Sequence, residues 1–191
     1  MNWFPQYHYI LASKSPRRQQ LLRSLGIDFE VKTKEVDETY PDDLFKNEIP
    51  VYLARKKAKP FKYNLCQNEL LITADTIVYY ENDVLGKPGN NEEARQMLQM
   101  LSGHEHQVIT GVCLTSAKKQ TAFFAVSNVQ FKHLTENEIE YYITNFKPFD
   151  KAGAYGIQEW IGTIGITHIE GSFYNVMGLP IQKLYEEIQK F

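Results

Sequence analysis

Cysteine is nearly missing from this chain: Cys66 and Cys113 are the only two in 191 residues, too few and too far apart for a disulfide framework or a zinc site. A reducing compartment is the simpler inference, with both cysteines expected as small buried side chains. The five histidines show no metal-ligand spacing, and no cysteine with a histidine partner suggests a nucleophile. An excess of either charge is lacking as well. A formal net charge of −2 excludes the sustained basic field of a general nucleic-acid or membrane-surface binder. No apolar run approaches membrane-spanning length, and the opening Met1-Asn2-Trp3-Phe4-Pro5 lacks the charged and apolar regions of a leader, so the expected location is the cytoplasm. Repeats, low-complexity tracts and credible linkers are absent. That leaves a single domain, residues 1–191, long enough to bury a continuous core.

What the chain does have is an alternation of apolar runs with helical stripes, the mark of an α/β domain around a mixed sheet flanked by helices. Strands are expected at 7–12, 29–32, 70–80, 84–89, 106–114 and 121–131, the last two forming a hairpin across Ala117-Lys118-Lys119. Helices are expected at 16–25, 50–59 and 92–101, and again after Thr135 and from Pro180. Leu53, Ala54 and Ala58 face inward on the second, with Lys57 near the edge of that face. Asn91 is the expected cap of the third, whose stripe is Ala94, Met97, Leu98 and Leu101. Thr135 with Glu138 makes a capping box for the fourth, whose stripe is Ile139, Tyr142, Ile143 and Phe146. The basic run Arg55-Lys56-Lys57 with Lys59 is a local cluster of the kind still possible at this net charge, although a charge run is usually just the wet face of its helix. The glycine-rich region between the last two helices, from Gly153 through Gly171, reads as a set of tight turns.

Three stretches carry chemistry. In Ser13-Lys14-Ser15-Pro16-Arg17-Arg18 an apolar run ends and a helix begins, with Ser15 suited to the N-cap, Pro16 to the first helical position and Gly26 to the stop. Such a helix start, with two arginines beside it, suits a phosphate, although the plainer reading of that stretch alone is a capped helix with solvated arginines. Asp75 interrupts the strongest strand signal in the chain. An acid there needs a partner, a metal or a bound cation. Glu38 lies on an acidic, turn-rich loop, and the hairpin after Asp75 returns Lys87 towards it. Two carboxylates, several lysines and a glycine-rich polar wall are the inventory for a polyphosphate ester with a divalent metal, Mg²⁺ or Mn²⁺.

Taken in order, Leu11-Ala12-Ser13-Lys14-Ser15-Pro16-Arg17-Arg18, Val36-Asp37-Glu38, Ala74-Asp75-Thr76, Gly86-Lys87-Pro88, Leu101-Ser102-Gly103, Thr110-Gly111-Val112, the run from Asp150 to Gln158, Gly171-Ser172 and Gly178-Leu179-Pro180 resemble the Maf family of nucleoside triphosphate pyrophosphatases. The resemblance covers nearly the whole chain. It implies two lobes around a cleft, similar to the inosine triphosphate pyrophosphatases, usually a homodimer, and metal-dependent hydrolysis of a nucleoside triphosphate to the monophosphate and pyrophosphate. It also implies that Asp75 activates water, that Glu38 helps hold the metal with Asp75, and that Ser13, Arg18, Lys57 and Lys87 contact phosphates, with Lys151 a further candidate. Arg17, Thr76 and Gln158 match the dTTP/UTP subgroup, where the 7-methyl-GTP subgroup typically has Trp, Gln and Glu. A side-chain amide suits the O4 and N3–H edge of uracil or thymine. One departure stands out: Glu159-Trp160 follows Gln158 where many relatives have small residues, which bears on the shape of the base pocket. Two alternatives are kept, a pyrophosphatase for a methylated purine nucleotide, which Trp160 would favour, and a non-catalytic nucleotide-binding regulator of cell division.

Overall fold

The computed structural model describes residues 4–191; Met1-Asn2-Trp3, the start of the segment read for a leader, lies outside the described residues. Among the described residues seven strands form one mixed sheet: β1 (His8–Leu11), β2 (Phe29–Val31), β3 (Glu69–Tyr80), β4 (Asp83–Leu85), β5 (Glu105–Thr115), β6 (Gln120–Phe131) and β7 (Ile166–Glu170). Their order is β2-β1-β3-β5-β6-β7, with β4 paired to β3. β1 runs parallel to β2 and to β3, with Leu11 opposite Ile72, while β3–β4 and β6–β7 are antiparallel. The expected α/β class with a mixed sheet and flanking helices is what the chain adopts. The helices are α1 (Pro16–Ser24), α2 (Glu48–Ala58), α3 (Asn91–Leu101), α4 (Glu136–Phe146), α5 (Trp160–Gly165), α6 (Phe173–Val176) and α7 (Ile181–Gln189). Among the described residues none is long and apolar enough to cross a membrane.

The chain divides into two compact units. The first holds the described residues up to Asp75 with Thr110–Ala125 and Gly178–Phe191; the second holds Thr76–Ile109 and Val126–Met177. In the first, Ile10, Ala54, Ala58, Phe61, Leu71 and Cys113 form one buried cluster. Its two alanines let α2 lie close to the sheet, and Gly111 of β5 lets it lie closer still. A methyl group on Gly111 would meet the backbone carbon of Pro50 at 2.3 Å, so any side chain there would push the start of α2 away. Thr73 of β3 then ties the helix down, its hydroxyl donating to the carbonyl of Ala54 at 2.7 Å.

The second unit buries Leu98 and Leu101 of α3, Phe131 of β6 and Ile139, Tyr142 and Ile143 of α4. The capping box expected at Thr135 and Glu138 is present in both of its bonds. Three expectations are corrected. The cap of α3 is Asn90, not Asn91: the Asn90 side chain accepts from the Glu93 amide at 2.9 Å and its Nδ2 donates back to Glu93 Oε1 at 2.9 Å, a reciprocal pairing that needs a three-residue spacing, while Glu93 Oε2 also accepts the Gly89 amide. Cys66 is exposed, because it sits in the turn after a short 3-10 helix, where its amide is held by Glu69; Cys113 alone is buried. The glycine-rich region contains α5 and β7 in addition to turns, with α6 just beyond it, these short elements being below the length at which periodicity shows.

Candidate active site

The start of α1 is built as its residues imply. The Ser15 hydroxyl accepts from the Arg18 amide, Pro16 occupies the first turn, and Gly26 takes a positive φ of 74° just past the helix end. Ser13 is buried, and its hydroxyl accepts from the Ser15 amide at 3.2 Å. Arg18 is a cross-tie: its Nε donates to the carbonyl of Gly178 at 2.8 Å and its Nη1 to that of Ala74 at 2.9 Å. Burial pulls its guanidinium below the usual arginine range, while Asp75 and then Glu38 push it back. Arg18 therefore sits in the field of both carboxylates and holds the backbone immediately before Asp75.

Asp75 is only 8% exposed, and a carboxylate that deep requires a cation. Lys57 supplies it. Its Nζ lies 2.5 Å from Asp75 Oδ1 and 2.8 Å from Glu38 Oε1, so one ammonium joins the two acids and keeps them no farther apart than the sum of those distances. The loop bearing Glu38 is pinned from the neighbouring helical position. Lys56 Nζ donates to the Thr39 carbonyl at 2.7 Å and to Asp37 Oδ2 at 3.2 Å, and Asp37 accepts from the Thr39 amide at 3.1 Å. The threonine bonds and Lys56 together hold the Asp37 carboxyl below its ordinary value. The expectation of a merely wet basic face is corrected here: Arg55 is exposed, but Lys56 and Lys57 bind the acidic loop. The signal was two adjacent acids and two adjacent lysines, but nothing local says that 19 residues of separation close into contact.

The two carboxylates fit a hard divalent cation. They offer oxygen donors within reach of one position that a positive group already occupies, and Mg²⁺ is ordinarily held by one or two carboxylates plus substrate phosphates. Among the described residues no group of three or more His, Cys, Asp or Glu side chains could hold a metal ion, so waters and substrate oxygens would complete the coordination.

The remaining candidates belong to the second unit, apart from Arg17, which is half-buried at the first turn of α1. Thr76 follows Asp75 on β3 and is partly exposed. Lys87 is exposed just beyond β4, and the carbonyl of Gly86 beside it accepts from the Gly153 amide at 3.0 Å. Lys151 is almost enclosed, with Asp150 at 2.7 Å and Glu159 at 3.0 Å from its Nζ. Gln158 is exposed, between buried Ile157 and half-buried Glu159. Sequence reasoning missed the partner that matters most there. Tyr142 of α4, expected only as a core residue, donates its hydroxyl to Glu159 Oε2 and accepts the Gly156 amide at 3.0 Å.

The family model described as Maf-like protein matches residues 8–191. The dTTP/UTP pyrophosphatase of Phocaeicola vulgatus is 56% identical over 186 residues, 97% of this chain and 96% of its own length. That of Bacteroides thetaiotaomicron is also 56% identical with the same coverage. That of Flavobacterium johnsoniae is 51% identical over 181 residues, 95% of this chain and 93% of its own. Among solved structures, the Staphylococcus aureus Ham1 protein matches 65% of this chain and 71% of its own at 14% identity and a TM-score of 0.44, a likeness too slight to carry an argument. The chain belongs to the Maf family.

Proposed function

We infer that this chain is a nucleoside triphosphate pyrophosphatase that hydrolyses dTTP and UTP, and modified pyrimidine nucleotides of the same shape, to the monophosphate and pyrophosphate. Relatives carrying the name dTTP/UTP pyrophosphatase align with it over almost their whole length, which supports the reaction and the base class together. The observation that carries the chemistry is the buried Asp75 joined through Lys57 to Glu38.

Asp75 is the base. Water attacks the α-phosphorus only as its proton is removed, and a fixed carboxylate beside the attack position does that. Lys57 has three N–H donors; two meet Asp75 and Glu38, and the third is the one to offer a phosphate oxygen. Ser13, Arg18 and Lys87 add donors and positive charge for the remaining phosphate oxygens, stabilising the pyrophosphate as it leaves. Glu38 and Asp75 would hold a divalent cation, Mg²⁺ or Mn²⁺, which when bound supplies Lewis-acid stabilisation of phosphate charge. Arg17, Thr76 and Gln158 select the base. Trp160, the feature that would favour a methylated purine, packs its ring 4.7 Å from that of Tyr141 on α4, a commitment to structure that leaves the pyrimidine reading ahead. A homodimer in the cytoplasm is the expected form; sedimentation equilibrium on purified protein checks the dimer, and cell fractionation checks the compartment.

The test is pyrophosphate release with Mg²⁺ or Mn²⁺ across UTP, dTTP, CTP, GTP and 7-methyl-GTP. UTP and dTTP should lead, and Asp75→Asn should lower kcat by about 10²–10⁴-fold while leaving nucleotide affinity largely intact. No release from any nucleotide would move the regulator reading to first place; equal loss of binding and fold in the variant would remove Asp75 from the chemistry.

A further inference from the structure

Gln158 is an exposed amide side chain asked to read a base edge, and an amide on a loose loop reads nothing, since discrimination depends on where its donor and acceptor point. The loop around it is not loose. On the N-terminal side, Ile157 is buried and the Gly156 amide is held by the Tyr142 hydroxyl. On the C-terminal side, Glu159 stands at the N-cap position of α5, yet its side chain makes no capping bond. It turns inward instead, taking the Tyr142 hydroxyl with one oxygen and Lys151 Nζ with the other at 3.0 Å.

The carboxylate also lies directly over Gly156: a methyl group built there would fall 2.9 Å from Glu159 Cδ and 3.1 Å from Lys151 Cε. Burial and the nearby Glu159 charge both push the Tyr142 phenol well above its ordinary value, so it stays protonated and donates. Trp160 adds a second fastening to the same helix through Tyr141.

We propose that Glu159 is a positioning residue for base selection: bridging Tyr142 and Lys151, it fixes the backbone on which Gln158 presents its amide. Lys151 accordingly acts as the cation that pairs with Glu159 and holds it turned inward. The proposal rests on the reading of Gln158 as a base contact.

The experiment compares Glu159→Ala and Glu159→Gln with wild type in steady-state hydrolysis of UTP and CTP, and follows amide hydrogen exchange at residues 156–158. In Glu159→Ala the UTP-to-CTP ratio of kcat/KM should fall about tenfold, chiefly through KM for UTP, because misplacing a contact by a fraction of an ångström costs that order. Glu159→Gln, which retains an acceptor for Tyr142, should recover part of the ratio. Exchange at 156–158 should quicken in the alanine variant while the melting transition remains cooperative. An unmoved ratio beside a selective wild type would overturn the positioning role, as would unchanged exchange. A wild type with no preference between UTP and CTP would overturn instead the base-contact reading of Gln158 on which the proposal stands. If Glu159→Ala does not fold, Tyr142→Phe, which cuts the same bond from the other end, is held to the same outcomes.

Discussion

His106 gives the second unit an acid-sensitive point whose size can be worked from its surroundings. Its ring is 2% exposed, Nε2 lies 2.7 Å from the Tyr155 hydroxyl, Nδ1 has no hydrogen-bond partner, and Phe131 and Tyr155 close around it. A second proton would meet no acceptor there, and burial alone pushes the pKa down from 6.5 to about 4. Because the folded value lies below the unfolded one, the unfolded chain binds the proton first. Stability attached to this group is therefore intact above pH 6.5 and is lost progressively as pH falls towards 4. Integrated over the window, the loss is about 2 kcal/mol by pH 5 and about 3 kcal/mol once both states are protonated. The assay is urea unfolding of wild type and His106→Phe at pH 8 and pH 5. The phenylalanine variant loses the Tyr155 bond at every pH, a constant cost, but should lack the slope, so the difference between the two proteins should shrink by about 2 kcal/mol on acidification. Parallel pH dependences would refute a neutral, proton-rejecting His106.

Gln158→Glu should move preference away from UTP and dTTP by at least about tenfold in kcat/KM, since a carboxylate cannot donate to O4; an unchanged nucleotide profile would remove Gln158 from base recognition. Gly111→Ala should destabilise the protein by about 1–3 kcal/mol in urea titrations and lower activity as well, because the added methyl forces α2, and Lys57 with it, off the sheet. Thr135→Ala removes one half of the capping box and should cost about 1 kcal/mol with no change in kcat, which separates a helix cap from a functional group.

Long, strongly patterned elements were readable in the linear sequence because local chemistry decides them. The serine cap of α1, the box at Thr135 and the long apolar run of β3 are written in contiguous residues, and each stands where the pattern put it. Asp75 was conspicuous for the same reason, as an acid in a run where burial is costly without a partner. Its partner was less conspicuous. Lys57 is 18 residues away, in a basic run whose ordinary fate is solvent, and only the helix placement separates it from Arg55. The network of Tyr142, Glu159 and Lys151 was hidden differently. Tyr142 sits on the apolar stripe of α4, so its core role masked a hydroxyl that organises a loop. The α5–β7–α6 segment was hidden by brevity, and Cys66 by the general tendency of free cysteine to be buried.

Thr73 and Asp75 stand two positions apart on β3, so their side chains leave the strand on the same side, and α2 answers them with the Ala54 carbonyl and the Lys57 ammonium. One contact holds the helix in place and the other holds the Asp75 carboxylate proposed as the base, and roughly one helical turn separates them along α2. Helix and strand thus mesh at two teeth. A slip or roll of α2 that breaks the first disengages the second, so at this junction firmness and reactivity are a single property. Enlarging Ala54 or Ala58, neither of which is aimed at a nucleotide, would be felt as lost turnover before it was felt as unfolding.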